Sequence, residues 1–328
     1  MPRNRAFWQA VVMACLIFFI TFIIQISSLS IQSQTTSNPY KNWQSHLRAL
    51  KGQEWTAADY FRAGDLQERL GYPDKAYYYW QIGLGLEADT AVALKVADVA
   101  IKMGDFVEAK DLLEGLWAQG VAHQNIALPL AYLEMVTDPL KAQEYLRSSQ
   151  NNDPLTMSLL RLIDAKLSPE WHAYYTGLHF LDHEEYALAE LSFAYANDLS
   201  YPFPEAMAYE GLTRLLNGKV GDALVKQALK WGPDKADVYY VQALVDRLEG
   251  RYLESLTGME IAYTLAPNNP AYIAELGKAC QLAGKLDLAE RYYELALEKS
   301  AYDPQFAEIL KQFQQETQSM IRLIESIP

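Results

Sequence analysis

The side chains best placed to do chemistry are His179 and His183, four residues apart and followed at once by Glu184 and Glu185. On a helix that spacing puts both imidazoles on one face, where with a carboxylate they could ligate a divalent transition metal. The competing reading is a polar, solvated helix end, and the surrounding pattern favours it. Cys15 and Cys280 are the only cysteines, too few for a disulfide framework or a cysteine-rich metal site. Cys280 falls on a packing position, and no nucleophile–base pair can be built from it. The chain has no Gly-rich phosphate loop, no Gly-x-Ser-x-Gly elbow and no His-Glu-x-x-His stretch. The residues therefore predict no catalytic group, no metal, no cofactor and no small-molecule substrate. A hydrolase or metal protein built on His179 and His183 is the minor alternative.

The elements that carry these residues are readable from composition and period. Of 328 residues, 50% are hydrophobic and 12% aromatic, enough to bury a sizeable core and to exclude disorder as the main state. Lys and Arg total 28 against 41 Asp and Glu, a net charge of −13, which argues against a general nucleic-acid binder. The charge is divided. Residues 1–53 carry +5 with no acidic side chain, and residues 54–328 carry −18.

Within the basic leader, no charge occurs from Ala6 to Tyr40, and Phe7–Ile26 reads as one apolar run. About 20 residues make a helix of about 30 Å, the hydrocarbon thickness of a bilayer. Residues 1–27 are thus expected to be a transmembrane signal-anchor. Arg3 and Arg5 precede the span, so the positive-inside bias places the N-terminus in the cytoplasm and all that follows outside it. A single-pass protein of the cell membrane is expected, with its body periplasmic or external. A cleaved signal peptide, cut near Ser28-Leu29-Ser30, is the competing reading. A lipoprotein box at Val12–Cys15 fits less well, because the apolar run continues past Cys15. Residues 28–54 read as a Ser/Thr/Gln-rich tether followed by a short lead-in helix bearing Trp43, Leu47 and Leu50.

The body repeats. A glycine, a turn and a small residue five positions after the glycine recur at Gly71/Ala76, Gly104/Ala109, Gly218/Ala223, Gly250/Ser255 and Gly284/Ala289. With Ala142 and Ala189 the small residues step by 33, 33, 47, 34, 32 and 34. The pattern predicts a helix hairpin. The glycine ends the first helix in the left-handed region, and the small residue lets the second helix approach closely. A second small residue about seven before the turn (Gly64, Ala97, Gly177, Gly211, Ala243 or Gly277) should face it. Trp80, Leu113, Leu146, Phe193, Met259 and Tyr293, four after the small one, should fill the space between repeats.

From roughly residue 55 to 303 this pattern resembles the tetratricopeptide repeat (TPR) family. Gly277, Gly284, Ala289, Tyr293 and Ala296 fall on the family's positions, as do Ala262 and Pro267. Thr137-Asp138-Pro139 and Glu184-Glu185-Tyr186 replace the glycine turn in the third and fourth units. The resemblance implies an all-α fold: an α-solenoid of about seven TPR-like hairpins, preceded by one transmembrane helix and followed by a capping helix. Residues 55–154 hold three repeats, 155–168 an inserted helical segment, 169–303 four repeats, and 304–328 the cap. The amphipathic pattern of Phe306, Ile309, Leu310 and Phe313 suits either a cap or an occupant of the groove.

In this family the first helices line a protein-binding groove. The register places Phe61, Asp65, Leu94 and Asp98 there in the first two units, and Trp171, Tyr174, Leu178, Ala208, Leu212, Tyr240, Leu244 and Arg247 in later ones. Chaperone-binding members clamp a carboxylate with Lys, Asn and Arg. Here Asp65, Asp98, Leu178, Leu212 and Leu244 occupy those positions, so that specificity is not expected. Trp171, Tyr174, Leu178, Leu212, Tyr240, Leu244 and Arg247 form instead an aromatic and apolar groove suited to an apolar peptide or helix. The same residues could simply pack against neighbouring helices. The function implied is a non-catalytic, membrane-anchored adaptor that holds protein partners in envelope assembly or secretion. The alternative is an accessory subunit of an envelope polysaccharide or cytochrome biogenesis complex. Absence of any Asn-x-Ser/Thr site fits a bacterial envelope protein.

Overall fold

The computed structural model describes residues 54–120 and 124–325. Among them are sixteen α-helices and no strand. They are α1 (Ala57–Arg69), α2 (Pro73–Leu86), α3 (Thr90–Met103), α4 (Phe106–Ala118), α5 (Gln124–Thr137), α6 (Pro139–Ser149), α7 (Pro154–Asp164) and α8 (Pro169–Asp182). There follow α9 (Tyr186–Leu199), α10 (Pro204–Leu216), α11 (Asp222–Trp231), α12 (Ala236–Leu248), α13 (Tyr252–Leu265), α14 (Pro270–Leu282), α15 (Leu286–Lys299) and α16 (Pro304–Glu325). The chain divides into two compact units inside α3, after Val99.

Local sequence sets the helix boundaries. Pro73, Pro139, Pro154, Pro169, Pro204 and Pro270 open their helices, where the missing N–H costs nothing. Thr56 and Asp59 form a reciprocal capping box at the start of α1. Gly71, Gly104, Gly218, Gly250 and Gly284 all have φ between +72° and +83°. In each case the next residue's N–H donates to the carbonyl five back, as from Lys285 to Cys280 at 2.9 Å.

Glu184 takes the glycine's place between α8 and α9. Its φ is +62°, and the Glu185 N–H donates to the Phe180 carbonyl at 2.9 Å. A side chain in that region carries a steric penalty that glycine lacks. Glu184→Gly should therefore raise stability by about 0.5–1 kcal/mol, read as a higher urea midpoint; an unchanged or lower midpoint contradicts it.

In the first unit α1 packs on α2, and Trp80 is fully buried with its ring over Gly64: a Cβ at Gly64 would stand 2.2 Å from Trp80 Cδ1. In the second unit α5–α6, α8–α9, α10–α11, α12–α13 and α14–α15 form hairpins. The same pairing of small against large recurs. A Cβ at Gly177 would lie 2.7 Å from the Phe193 ring, and one at Gly277 3.0 Å from the Tyr293 ring.

The fifth unit corrects the expected register. α11 begins four residues after Gly218, where α13 and α15 begin two after their glycines. The two extra turn residues move Ala223 to the surface and bring Val225, 1% exposed, over Gly211. A Cβ at Gly211 would meet Val225 Cγ2 at 2.6 Å. The long step in the repeat spacing is α7, a separate helix between α6 and α8 that buries Leu155, Leu159 and Leu162.

α16 covers the end of the last hairpin. Phe313, 4% exposed, packs on Tyr293 with ring centroids 5.2 Å apart, and Phe306 packs near Ile273 and Ala296. Gln281 donates to Glu316 at 2.9 Å and Gln314 to Glu290 at 3.0 Å. No helix among the described residues is long and apolar enough to cross a membrane. The expected span Phe7–Ile26, the tether and the lead-in helix lie outside the described residues.

Candidate docking cleft on the first helices

Three first helices of the second unit, α8, α10 and α12, each bring a leucine to one place: Leu178, Leu212 and Leu244. Leu181, Leu216 and Leu248 flank them a turn further on, and Tyr209 and Tyr240 stand beside them. Together they line a cleft of about 340 Å³, with Asp182, Glu184, Tyr186 and Arg247 completing its wall. α10 packs directly on α12, and α9 lies against α10. Short hairpin turns thus fix the spacing of the three leucines.

Five of the seven groove residues read from the sequence meet here: Leu178, Leu212, Tyr240, Leu244 and Arg247. Trp171 and Tyr174 do not. Tyr174 is 3% exposed, with its ring among Phe193, Phe203 and Tyr209. Trp171 packs edge-on against Phe203 at 4.9 Å and is partly exposed. Both rings pack against Phe203, which precedes α10. Ala208 is buried outright. In the first unit Asp65 accepts from Trp80 Nε1 at 3.2 Å and from Lys95 Nζ at 2.7 Å, which ties α2 and α3 to α1. The sequence reading of the groove omitted Leu181, Asp182, Glu184, Tyr186, Tyr209, Leu216 and Leu248. Leu216 and Leu248 lie four after Leu212 and Leu244, so the helical period alone points to them.

The electrostatics of the cleft are acidic. Arg247 pairs with Glu275 at 2.7 Å. Although the surface of Asp182 is open, the surrounding protein desolvates its carboxyl and raises its pKa, with His179 and His183 opposing. Burial raises the Tyr240 phenol, as does Glu275; Arg247 opposes, and Asp182 and Asp237 add to the rise. Beyond Tyr240, Tyr272 donates its hydroxyl to Asp237, whose carboxyl is raised by burial. Glu205, 8% exposed, lies close by and pairs with Lys235 at 3.3 Å.

His179 and His183 sit at the end of α8. His183 Nδ1 lies 2.8 Å from the His179 carbonyl oxygen, so the ring caps the helix end. Burial lowers the His179 pKa, Asp182 opposes and His183 adds to the fall. Among the described residues no group of three or more His, Cys, Asp or Glu is arranged to hold a metal ion. Cys280 is buried, and burial raises its thiol.

A further histidine was not singled out by spacing. His172 on α8 is buried, and its Nε2 has no hydrogen-bond partner; nor has Thr176 Oγ1 one turn on. Burial alone lowers the His172 pKa. Its neutral form is full strength above about pH 6.5, and stability is lost as pH falls below that value, when the unfolded chain takes up a proton first. Thermal unfolding between pH 7 and pH 5 should show this fall, and His172→Gln should flatten it. An identical fall in both proteins rules His172 out as the cause.

Glycine-turned hairpins with paired small and large contacts, opening a face of first helices, define a TPR-like helical repeat protein. No family model matches the chain, and no curated protein matches it. Among solved structures it is similar to a tetratricopeptide repeat protein from Parabacteroides merdae, with 13% identity over 79% of this chain and 98% of that one and a TM-score of 0.39. It is similar also to yeast Tom70 (13% identity, 80% and 72% covered, TM-score 0.35). A thermophilic TPR protein of Thermus thermophilus gives 16% identity, 79% and 100% covered and a TM-score of 0.30. At such distance these likenesses carry no functional argument; the architecture stands on the hairpins themselves.

Proposed function

We propose that this chain is a non-catalytic scaffold that holds a protein partner on the α8–α10–α12 cleft while residues 7–26 anchor it to a membrane. The observation that carries the reading is the cleft: leucines from three successive hairpins lie together and no helix of the chain among the described residues fills the space. Leu212 and Tyr209 form the cleft's buried floor, Leu178 and Leu244 are half-buried beside them, and Leu248 is exposed at its edge. An apolar recess rimmed by polar residues suits the seating of a partner's apolar side chains. The charge split supports the membrane placement, since a +5 leader with an uncharged apolar run precedes a −18 body. A scaffold in envelope assembly or secretion, exposed on the outer face, fits both features.

Co-purification from native membranes tests the docking reading. Partner recovered with the full chain should be lost with Leu244→Glu or Leu248→Glu, while circular dichroism stays unchanged. Equal recovery contradicts it. A reporter fused after Pro328 tests topology, and a cytoplasmic signal there overturns the outer-face placement.

A further inference from the structure

The cleft is apolar at its floor and acidic at its mouth. Its volume of about 340 Å³ is roughly twice the ~150 Å³ that admits a benzene-sized group. It therefore has room for two large apolar side chains, which an amphipathic helix presents one turn apart.

Charge decides which helix fits. Asp182 and Glu184 stand at the mouth, and among the described residues no lysine or arginine is ion-paired to either. Arg247, the one lysine or arginine among the described residues of the cleft wall, is already held by Glu275 at 2.7 Å. Asp237 adds a further carboxyl beyond Tyr240.

We infer that the cleft docks a cationic amphipathic helix of a partner protein. Two apolar side chains one turn apart seat on Leu178, Leu244 and Leu248 above the buried Leu212, and lysines or arginines beside them pair with Asp182 and Glu184. The inference rests on the docking reading above and narrows it to one class of partner. The −18 of residues 54–328 draws such a segment in over long range.

Fluorescence anisotropy tests it with the full-length protein in an uncharged detergent and two labelled synthetic helices. Both carry leucines at i and i+4; one has lysines at the flanking positions, the other glutamates. The lysine helix should bind at least ~10-fold tighter and weaken with added salt. Asp182→Lys with Glu184→Lys should erase the preference, and Leu244→Glu should abolish binding of both helices. Peptide partitioned into detergent would respond to neither substitution. Equal or tighter binding of the glutamate helix overturns the inferred partner class and leaves the docking reading standing. Binding by neither helix, or binding that survives Leu244→Glu, overturns the inference outright, and the co-purification result then judges the scaffold reading by itself.

Discussion

Phe193→Ala should cost the second unit ~3–5 kcal/mol, the range for removing a fully buried phenylalanine. The ring is fully buried and belongs to three helices at once. It sits on α9, lies over Gly177 of α8, and stacks on Tyr209 of α10 at 5.1 Å with 18° between the planes. Tyr174 meets it edge-on at 5.8 Å. Removing it leaves a cavity beside a glycine, which has no side chain to move in, so collapse can recover little of the loss. Because repeat arrays unfold unevenly, the readout is local: amide exchange in α8–α10 should accelerate far more than in α14–α15. A uniform small change across the unit contradicts the interlock.

Truncation after Asp303 should loosen the last hairpin without unfolding the rest of its unit. α16 covers Leu276, Cys280 and Tyr293 through Phe313, and the Ile273–Ala296 contact through Phe306. Taking water to that surface forfeits its burial, and Phe313→Ala alone should cost ~3 kcal/mol or more. The truncated chain should lose exchange protection in α14 and α15 first and gain binding of a hydrophobic dye. A truncated protein with unchanged protection would show that α16 is not the cap. Tighter peptide binding at the cleft after truncation would contradict the separation of cap and cleft, since no residue of α16 lines it.

The hairpins were legible in the sequence because a close helix crossing needs a small residue, and small residues recurring at a fixed period have few other causes. Gly177 against Phe193 and Gly277 against Tyr293 follow directly from that reasoning. The fifth unit was misread for a reason equally physical. Two additional residues in its turn leave the period nearly intact, yet they shift which side chain faces Gly211 from Ala223 to Val225. The groove was half legible. Register places Leu178, Leu212 and Leu244 at equivalent points of successive first helices, and they do lie together, with Leu212 buried. Register does not show where a bulky neighbour such as Phe203 arrives from the preceding loop, and that residue packs against both Tyr174 and Trp171. The cleft's acidity was hidden for a related reason, because Asp182 and Glu184 read from sequence as an ordinary helix end and turn.

The central claim is that a partner protein docks on the first helices of α8, α10 and α12, and site-specific photo-cross-linking measures this most directly. A photoreactive phenylalanine analogue at Leu244, in the full-length chain in its native membrane, should form a discrete cross-linked protein adduct. The same analogue at Ile261, exposed on the second helix α13, should give none. Adducts from Ile261 with none from Leu244, or equal yields from both, would contradict the account.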